Sequence, residues 1–216
     1  IGIWTVSALV PAIRMVPSET THIETSGLTD RSTPLRFYAW IGIVVLYSGM
    51  SIILTIFPLY AHEELLLRES HVGLLLLIRG ITSCIGFFLL GRFSFWHFRK
   101  SLIFLVQGLF ALLCFSALRF SSLFFYGFFF LLFGILFSFA YAQSIFHGSS
   151  GAVRRSERMI IHEVLLTIGT ILGSVGGGWL YQKFGFSNVL FSVGTLGAAA
   201  VGGEILFSMY NRRRIR

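Results

Sequence analysis

The chain has 216 residues, of which 55% are hydrophobic and only 12% are charged, and its formal net charge is +8. This composition is typical of an integral membrane protein. It argues against nucleic-acid binding, because the basic residues stand at the ends of apolar runs and do not form one solvated face. Cys84 and Cys114 both lie within apolar runs, so we expect neither a disulfide framework nor a metal site.

The first 34 residues divide into two segments. Residues 1–16 begin with an apolar piece that is too short to span a bilayer and is followed by Pro11 and Arg14. We interpret 1–16 as the cytoplasmic end of a truncated transmembrane helix. Residues 17–34 are polar, rich in Ser and Thr, and lack a helical apolar period, which predicts a cytoplasmic linker.

The remainder, 35–216, contains six apolar runs. Even the shortest would extend roughly 27 Å as a helix, close to the thickness of the hydrocarbon core of a bilayer. Backbone polar groups in lipid must be satisfied within the segment, so each run predicts a transmembrane helix. The sequence therefore predicts an all-α, polytopic membrane protein with a bundle of six transmembrane helices. The runs are Phe37–Tyr60, Val72–Phe93, Ser101–Leu118, Leu123–Gln143, Met159–Tyr181 and Ser187–Met209.

Positive charges give the runs an orientation. Thirteen basic residues fall on one set of connections, and only Arg68, Arg119 and Lys183 fall on the other set. The positive-inside rule places the first set in the cytoplasm. The linker and the C-terminus are then cytoplasmic, in a multi-pass protein of a cytoplasmic (inner) membrane. The first set is Arg14, Arg31, Arg36, Arg92, Arg99, Lys100, Arg154, Arg155, Arg158, Arg212, Arg213, Arg214 and Arg216.

Small and aromatic residues indicate how the helices pack. Gly169, Gly173 and Gly177 recur every four residues in run five, a spacing that allows close contact between helices in lipid. Run four is instead rich in Phe, which favours lipid contact and packing between helices over an aromatic ligand site.

Two segments carry a family resemblance. His71–Lys100 resembles the eighth span and the following loop of a major facilitator superfamily transporter, and Arg158–Gly185 resembles the eleventh span. The loop motif of that family is represented by Gly91, Arg92, Ser94, Arg99 and Lys100, whereas Phe95 stands in place of the usual acid and Phe98 in place of a Gly. The linker and the spacing are similar to the second half of such a protein, from the end of span six through span twelve.

The resemblance implies a fold and a function. The bundle would be a 3+3 inverted repeat, with runs one to three matching runs four to six and the substrate near the midplane. The chain would be the C-terminal half of a secondary active transporter for a small solute, working by alternating access with an N-terminal six-helix half as its partner. Coupling to a proton gradient is compatible with this family, and no cofactor is implied.

Runs one and four would line the central cavity according to the resemblance. Tyr47, Ser51 and Thr55 lie four residues apart and so share one helix face in run one. Ser138 and Tyr141 are the candidates in run four. Hydrogen bonds between helices, or back to the same helix, are the alternative role for these polar groups.

Three charges lie inside apolar runs, where each is costly unless it is paired or hydrated. Arg79 lies roughly 10 Å from the outer end of run two, while Glu163 and Glu204 lie roughly 6–8 Å from the cytoplasmic surface. Arg79 and Glu163 are therefore too far apart to pair. We interpret Arg79 as a cavity residue or as a side chain that snorkels to the interface. The two carboxylates either pair with cytoplasmic arginines (Arg154, Arg155, Arg158) or serve as protonation sites for coupling.

Other function classes have less support. Glu63, Glu64 and Arg68 match the EExxxR pattern of an intramembrane protease, but His97 of the accompanying FxxxH pattern would lie about a membrane thickness away. No phosphate-binding GxxxxGK[ST] loop occurs. We therefore expect no enzyme. A six-span channel or a membrane assembly subunit that does not transport remains the alternative.

Overall fold

The computed structural model describes the backbone of residues 30–214 and the side chains of residues 30–210. The predicted truncated helix, 1–16, and most of the linker, 17–34, lie outside the described residues. The described elements are all helical. They are α1 (Leu35–Glu63), α2 (Glu69–Arg92), α3 (Lys100–Ser116), α4 (Leu123–Ser149), α5 (Arg155–Ile171), a π-helical turn (Leu172–Gly176) and α6 (Gly177–Arg214).

The prediction of a helical membrane bundle is confirmed. Four helical stretches are long and apolar enough to cross a membrane: α1, α2, α4 and the stretch Arg155–Tyr210. The last of these is interrupted at Gly185, whose φ of 76° and ψ of 173° are not helical, so it contains both of the last two predicted spans. The remaining predicted span corresponds to α3, which is apolar but has only 17 residues.

One end of the bundle brings together the loops that the charge pattern assigns to the cytoplasm. The Arg31 amide donates to the Gly151 carbonyl at 3.0 Å, which attaches the residues before α1 to the α4–α5 loop. In the α2–α3 loop, His97 stacks on Phe146 of α4 with ring centroids 4.0 Å apart. Lys100 Nζ donates to Ser208 Oγ near the end of α6.

The opposite end is closed by aromatic side chains. Tyr60 stacks on Phe186 with centroids 4.1 Å apart and accepts a hydrogen bond from the Tyr126 hydroxyl at 3.4 Å. The Tyr181 hydroxyl donates to Glu63 Oε2 at 3.2 Å. Glu63 and His97, the two parts of the protease pattern, therefore lie at opposite ends of the bundle, where they cannot share a metal or a water.

Aromatic residues fill the core between α1, α3 and α4. Phe130 contacts Phe57 of α1 with centroids 4.8 Å apart, and Phe133 stacks on Phe110 of α3 at 5.6 Å. All four rings are almost completely buried, whereas Phe124 is 90% exposed. The Phe-rich run therefore serves both as interior packing and as lipid-facing surface.

The predicted close packing of the run-five glycines is confirmed, and α1 is the neighbouring helix. A Cβ added at Gly173 would overlap the Ser48 carbonyl oxygen, and one added at Gly177 would come within 2.5 Å of Ile52. At Gly169 a Cβ would lie 3.0 Å from the Tyr47 Cβ. Since two of these three contacts involve the backbone or Cβ of α1, the helices can approach this closely only where the Cβ is absent.

A second close crossing, between α2 and α4, is not apparent from the spacing of glycines in the sequence. A Cβ at Gly134 would lie 2.5 Å from the Arg79 carbonyl oxygen, and one at Gly86 would overlap the Ser138 hydroxyl. The Ser83 hydroxyl donates to the Gly134 carbonyl at 3.1 Å across the same contact. This crossing fixes the part of α2 that carries Arg79.

Candidate functional site

Four side chains from α1, α2 and α4 meet near the middle of the bundle. We call Tyr47, Arg79, Phe137 and Tyr141 the central cluster. The Phe137 ring lies 5.6 Å from that of Tyr47 and 6.1 Å from that of Tyr141, between centroids. The guanidinium carbon of Arg79 lies 5.8 Å from the Phe137 centroid. Three of the six predicted cavity residues are thus brought together around one phenylalanine.

The depth of the cluster follows from helix geometry. Phe137 lies 14 residues after Leu123, about 21 Å along a helix about 40 Å long. Tyr47 lies 12 residues after Leu35, about 18 Å along a helix of about 43 Å. Both positions are close to the middle of their helices, at the depth where transporters of inverted-repeat architecture hold their substrates.

Arg79 extends toward this depth. Its backbone lies nearer the predicted outer end, but its guanidinium reaches the ring of Phe137 in the middle of α4. The Nε and Nη1 atoms are buried without a hydrogen-bond partner among the described residues. Snorkelling would direct the guanidinium to the outer interface and give it water. The observed side chain instead presents unsatisfied donors to the interior, an arrangement that can bind an anionic or strongly accepting group.

Ser51 and Thr55 differ in their surroundings. The Ser51 hydroxyl is buried, donates to the Thr170 carbonyl at 3.0 Å and lies 2.5 Å from Ser174 Oγ. Since the single Ser51 proton is directed at the carbonyl, Ser174 donates to Ser51. Thr55 is exposed, and its hydroxyl donates to the carbonyl of Ser51 at 2.7 Å within its own helix. Ser51 therefore bridges α1 and α5, and Thr55 is turned back to the backbone.

The hydroxyl of Ser138 bonds within its own helix and not to the other cavity candidates. The side chain is completely buried, donates to the Ile135 carbonyl at 2.7 Å and faces Gly86 of α2. Its position is thus part of the α2–α4 crossing.

Glu163 is an exposed residue near the start of α5. Its carboxylate lies within electrostatic range of the hydroxyls of Tyr47 and Tyr141, so it borders the central cluster. Glu163 and Arg79 form no salt bridge within the described part of the chain. The neighbouring Thr167 returns its hydroxyl to the Glu163 carbonyl.

Glu204 lies apart from the central cluster, between α3 and α6. It is 4% exposed and accepts a hydrogen bond of 3.4 Å from Gln107 Nε2. In the described part of the chain Glu204 accepts from Gln107 Nε2, and Arg154 pairs with Glu157 at 3.3 Å, so the pairing of Glu204 with a cytoplasmic arginine stays a prediction. A charge count along the sequence could not reveal an amide partner on a different helix.

The loop-motif residues stand at the predicted cytoplasmic end. Gly91 and Arg92 end α2 and are exposed, Arg99 precedes α3, and Lys100 is its first residue. Phe98 has a φ of 52°, in the left-handed region that glycine adopts without strain. The family motif has a glycine at this position, and the backbone of Phe98 adopts the left-handed conformation that glycine favours.

Sequence reasoning missed two members of this region. Phe137 was grouped with the packing phenylalanines of run four, yet it contacts the other three members of the central cluster. His162 of α5 is 1% exposed, lies 5.2 Å from Tyr141 between ring centroids and bonds through Nδ1 to Ser144 Oγ at 2.8 Å. The contacts of Phe137 with Tyr47 and Arg79, and those of His162 with Tyr141 and Ser144, are made with other helices, so no local sequence pattern marks them.

A bundle of long apolar helices with polar groups near mid-depth defines the class of the protein as a polytopic helical membrane protein. The family profile of the Major Facilitator Superfamily matches residues 39–214. The chain therefore belongs to the Major Facilitator Superfamily, whose members are transporters. A comparison with curated proteins finds no significant match.

Proposed function

We propose that this chain is the C-terminal half of a secondary active transporter that moves a small solute across the cytoplasmic membrane by alternating access. Family membership over residues 39–214 supports the general activity. The observation that carries the site is Arg79, whose buried and unsatisfied donors lie at mid-depth beside Tyr47 and Phe137. An anionic group on the solute would supply the acceptors that Arg79 lacks.

The proposed partner is an N-terminal six-helix half of the same transporter. In inverted-repeat transporters the substrate lies between two bundles, each of which supplies part of the site. The central cluster comes from α1, α2 and α4, with Glu163 of α5 at its border, so it provides one wall of such a site. The same architecture implies that α1–α3 and the last three spans form the 3+3 inverted repeat.

The proposed orientation places the linker and the C-terminus in the cytoplasm. The excess of basic residues on one set of connections supports this assignment. The contacts of Arg31 with Gly151 and of Lys100 with Ser208 join those connections at a single end of the bundle.

Substitution of Arg79 tests the proposed site. The protein with all its spans is reconstituted in liposomes, and uptake is measured for a panel of small organic anions and for neutral solutes of similar size. Arg79→Gln removes the charge and should weaken binding of an anionic substrate about 10- to 100-fold, the effect expected for a lost charge-assisted hydrogen bond. Arg79→Lys keeps the charge but loses the planar donor arrangement and should give an intermediate defect.

Arg68→Gln is the matched control, because Arg68 precedes the same helix and is exposed. It should transport like the unaltered protein. Normal transport by well-folded Arg79→Gln would refute the assignment of the site. Ion conductance without saturable uptake would favour the channel alternative.

A further inference from the structure

A buried amide and a buried carboxyl face each other between α3 and α6. Gln107 is 2% exposed and Glu204 is 4% exposed. Gln107 Nε2 donates to the Tyr38 carbonyl at 3.1 Å and to Glu204 Oε1 at 3.4 Å. The Tyr38 contact fixes the amide orientation, because a rotated amide would place its oxygen against another carbonyl oxygen.

This orientation leaves two oxygens without donors. Gln107 Oε1 and Glu204 Oε2 are both buried and have no hydrogen-bond partner among the described residues. An amide oxygen and a carboxylate oxygen are both acceptors, so neither can satisfy the other. A proton on Glu204 Oε2 removes the conflict, since the new O–H can donate to Gln107 Oε1 while Gln107 Nε2 donates back to Glu204 Oε1.

We propose that Glu204 and Gln107 form a proton-binding site in which the protonated carboxyl and the amide make a closed pair of hydrogen bonds. The existing contact of the pair, between Gln107 Nε2 and Glu204 Oε1, is 3.4 Å long and would be one of the two bonds.

A cavity lies beside the pair. A cavity of ≈ 670 Å³ extends along α1, α3 and α6, and its lining includes Tyr38, Lys100, Glu204 and Ser208. Tyr38 and Lys100 are the titratable groups of the neighbouring helices that face Glu204. The ammonium of Lys100 favours an ionised carboxyl through its charge, but it donates to Ser208 and lies 4.9 Å from the Tyr38 ring centroid.

The pair lies away from the central cluster, so this assignment goes beyond the proposed transport site and does not depend on it. Its consequence is a contact between α3 and α6 that depends on protonation. Loss of the proton leaves a buried carboxylate against an amide oxygen, and this repulsion favours separation of the two helices or entry of water from the cavity.

Infrared difference spectroscopy tests the proposal. Spectra of the full protein in lipid at pH 7 are compared with those of Glu204→Gln, in which the new amide can replace the protonated carboxyl. A band of a protonated carboxylic acid should be present in the unaltered protein and absent from Glu204→Gln. Glu157→Gln, a change at an exposed carboxyl that pairs with Arg154, should retain the band. The proposal is refuted if no such band exists or if Glu204→Gln leaves it unchanged.

A second measurement needs no variant. A hydrophobic carbodiimide modifies protonated carboxyls in apolar surroundings, and the cavity beside Glu204 gives it access. Peptide mass spectrometry of the unaltered protein treated at pH 7 should find Glu204 modified and Glu157, which pairs with Arg154, unmodified. Absence of modification at Glu204, or equal modification of Glu157, would contradict the proton site even if Glu204→Gln failed to fold.

Discussion

The close crossing of α1 and the π-helical turn predicts a measurable penalty for the smallest possible side chain. In Gly173→Ala the added methyl group would overlap the Ser48 carbonyl oxygen and lie 2.9 Å from both the Ser48 Cα and the Ser51 Cβ. Two of these atoms belong to the α1 backbone and cannot rotate away. The helices must therefore separate by several tenths of an ångström, which lengthens the hydrogen bond from Ser51 to the Thr170 carbonyl.

The effect of Gly173→Ala on the free energy of unfolding is the difference between a packing cost and a gain in helix propensity. Overpacking of a well-packed contact costs about 1–3 kcal/mol, while alanine is favoured over glycine in a helix by about 1 kcal/mol. Gly173→Ala should therefore lower the free energy of unfolding by up to about 2 kcal/mol. Gly178 provides the matched control, because a Cβ there has no atom within 4 Å. Gly178→Ala should be neutral or stabilise by up to about 1 kcal/mol.

The assay compares the two variants in the full protein, purified in the same detergent or bicelle. Thermal unfolding midpoints and the yield of monodisperse protein should fall for Gly173→Ala and hold for Gly178→Ala. Gly173→Leu should reduce folded yield in membranes more strongly than Gly173→Ala, whereas Phe128→Leu, at a half-exposed position, should be nearly silent. Equal tolerance of alanine at positions 173 and 178 would refute the argument that this spacing sets the helix contact.

Three further predictions follow from local geometry. Because Phe98 has a positive φ, Phe98→Gly should be more stable than Phe98→Ala by about 1 kcal/mol, measured by thermal unfolding; a reversed order would contradict the strain. Ser51→Ala should lower the free energy of unfolding by about 0.6–1.7 kcal/mol, because the Ser51 hydroxyl bonds to α5. Thr55→Val should lower it less, because the Thr55 hydroxyl bonds only within α1. Equal losses would contradict a stabilising hydrogen bond between Ser51 and α5. Ser150→Cys, in a background without native cysteines, should react with a membrane-impermeant thiol reagent only after sealed cells are opened, and labelling in intact cells would reverse the proposed orientation.

The general fold could be predicted because it depends on properties of single segments. Run length, apolarity and the distribution of basic residues each act within one helix or loop, and the solvent that surrounds them is the bilayer. The repeat of Gly169, Gly173 and Gly177 also predicted a close contact, since residues four apart share a helix face. The neighbour, α1, could not be predicted, because periodicity identifies a face but not the helix that packs against it.

The site was predicted less completely for the same reason. Tyr47, Arg79 and Tyr141 were selected because polar groups in apolar runs stand out, and the structure does bring them together. Phe137 did not stand out among the many phenylalanines of run four, although its ring joins the cluster. Gln107 was overlooked as the partner of a carboxyl 97 positions away, because no local pattern links residues on α3 and α6.

The break at Gly185 has a mechanical consequence for the last two spans. Helix continues up to this residue and resumes directly after it, so the two spans are joined by a single residue in a non-helical backbone conformation that essentially only glycine adopts. A one-residue connection allows the two spans to rotate relative to each other, but it is too short for their outer ends to separate. A rotation of about 10° between two helices about 40 Å long displaces their far ends by about 7 Å. Any opening between these spans must therefore be concentrated at the end that carries Arg155 and Ser208, while the end at Gly185 remains closed.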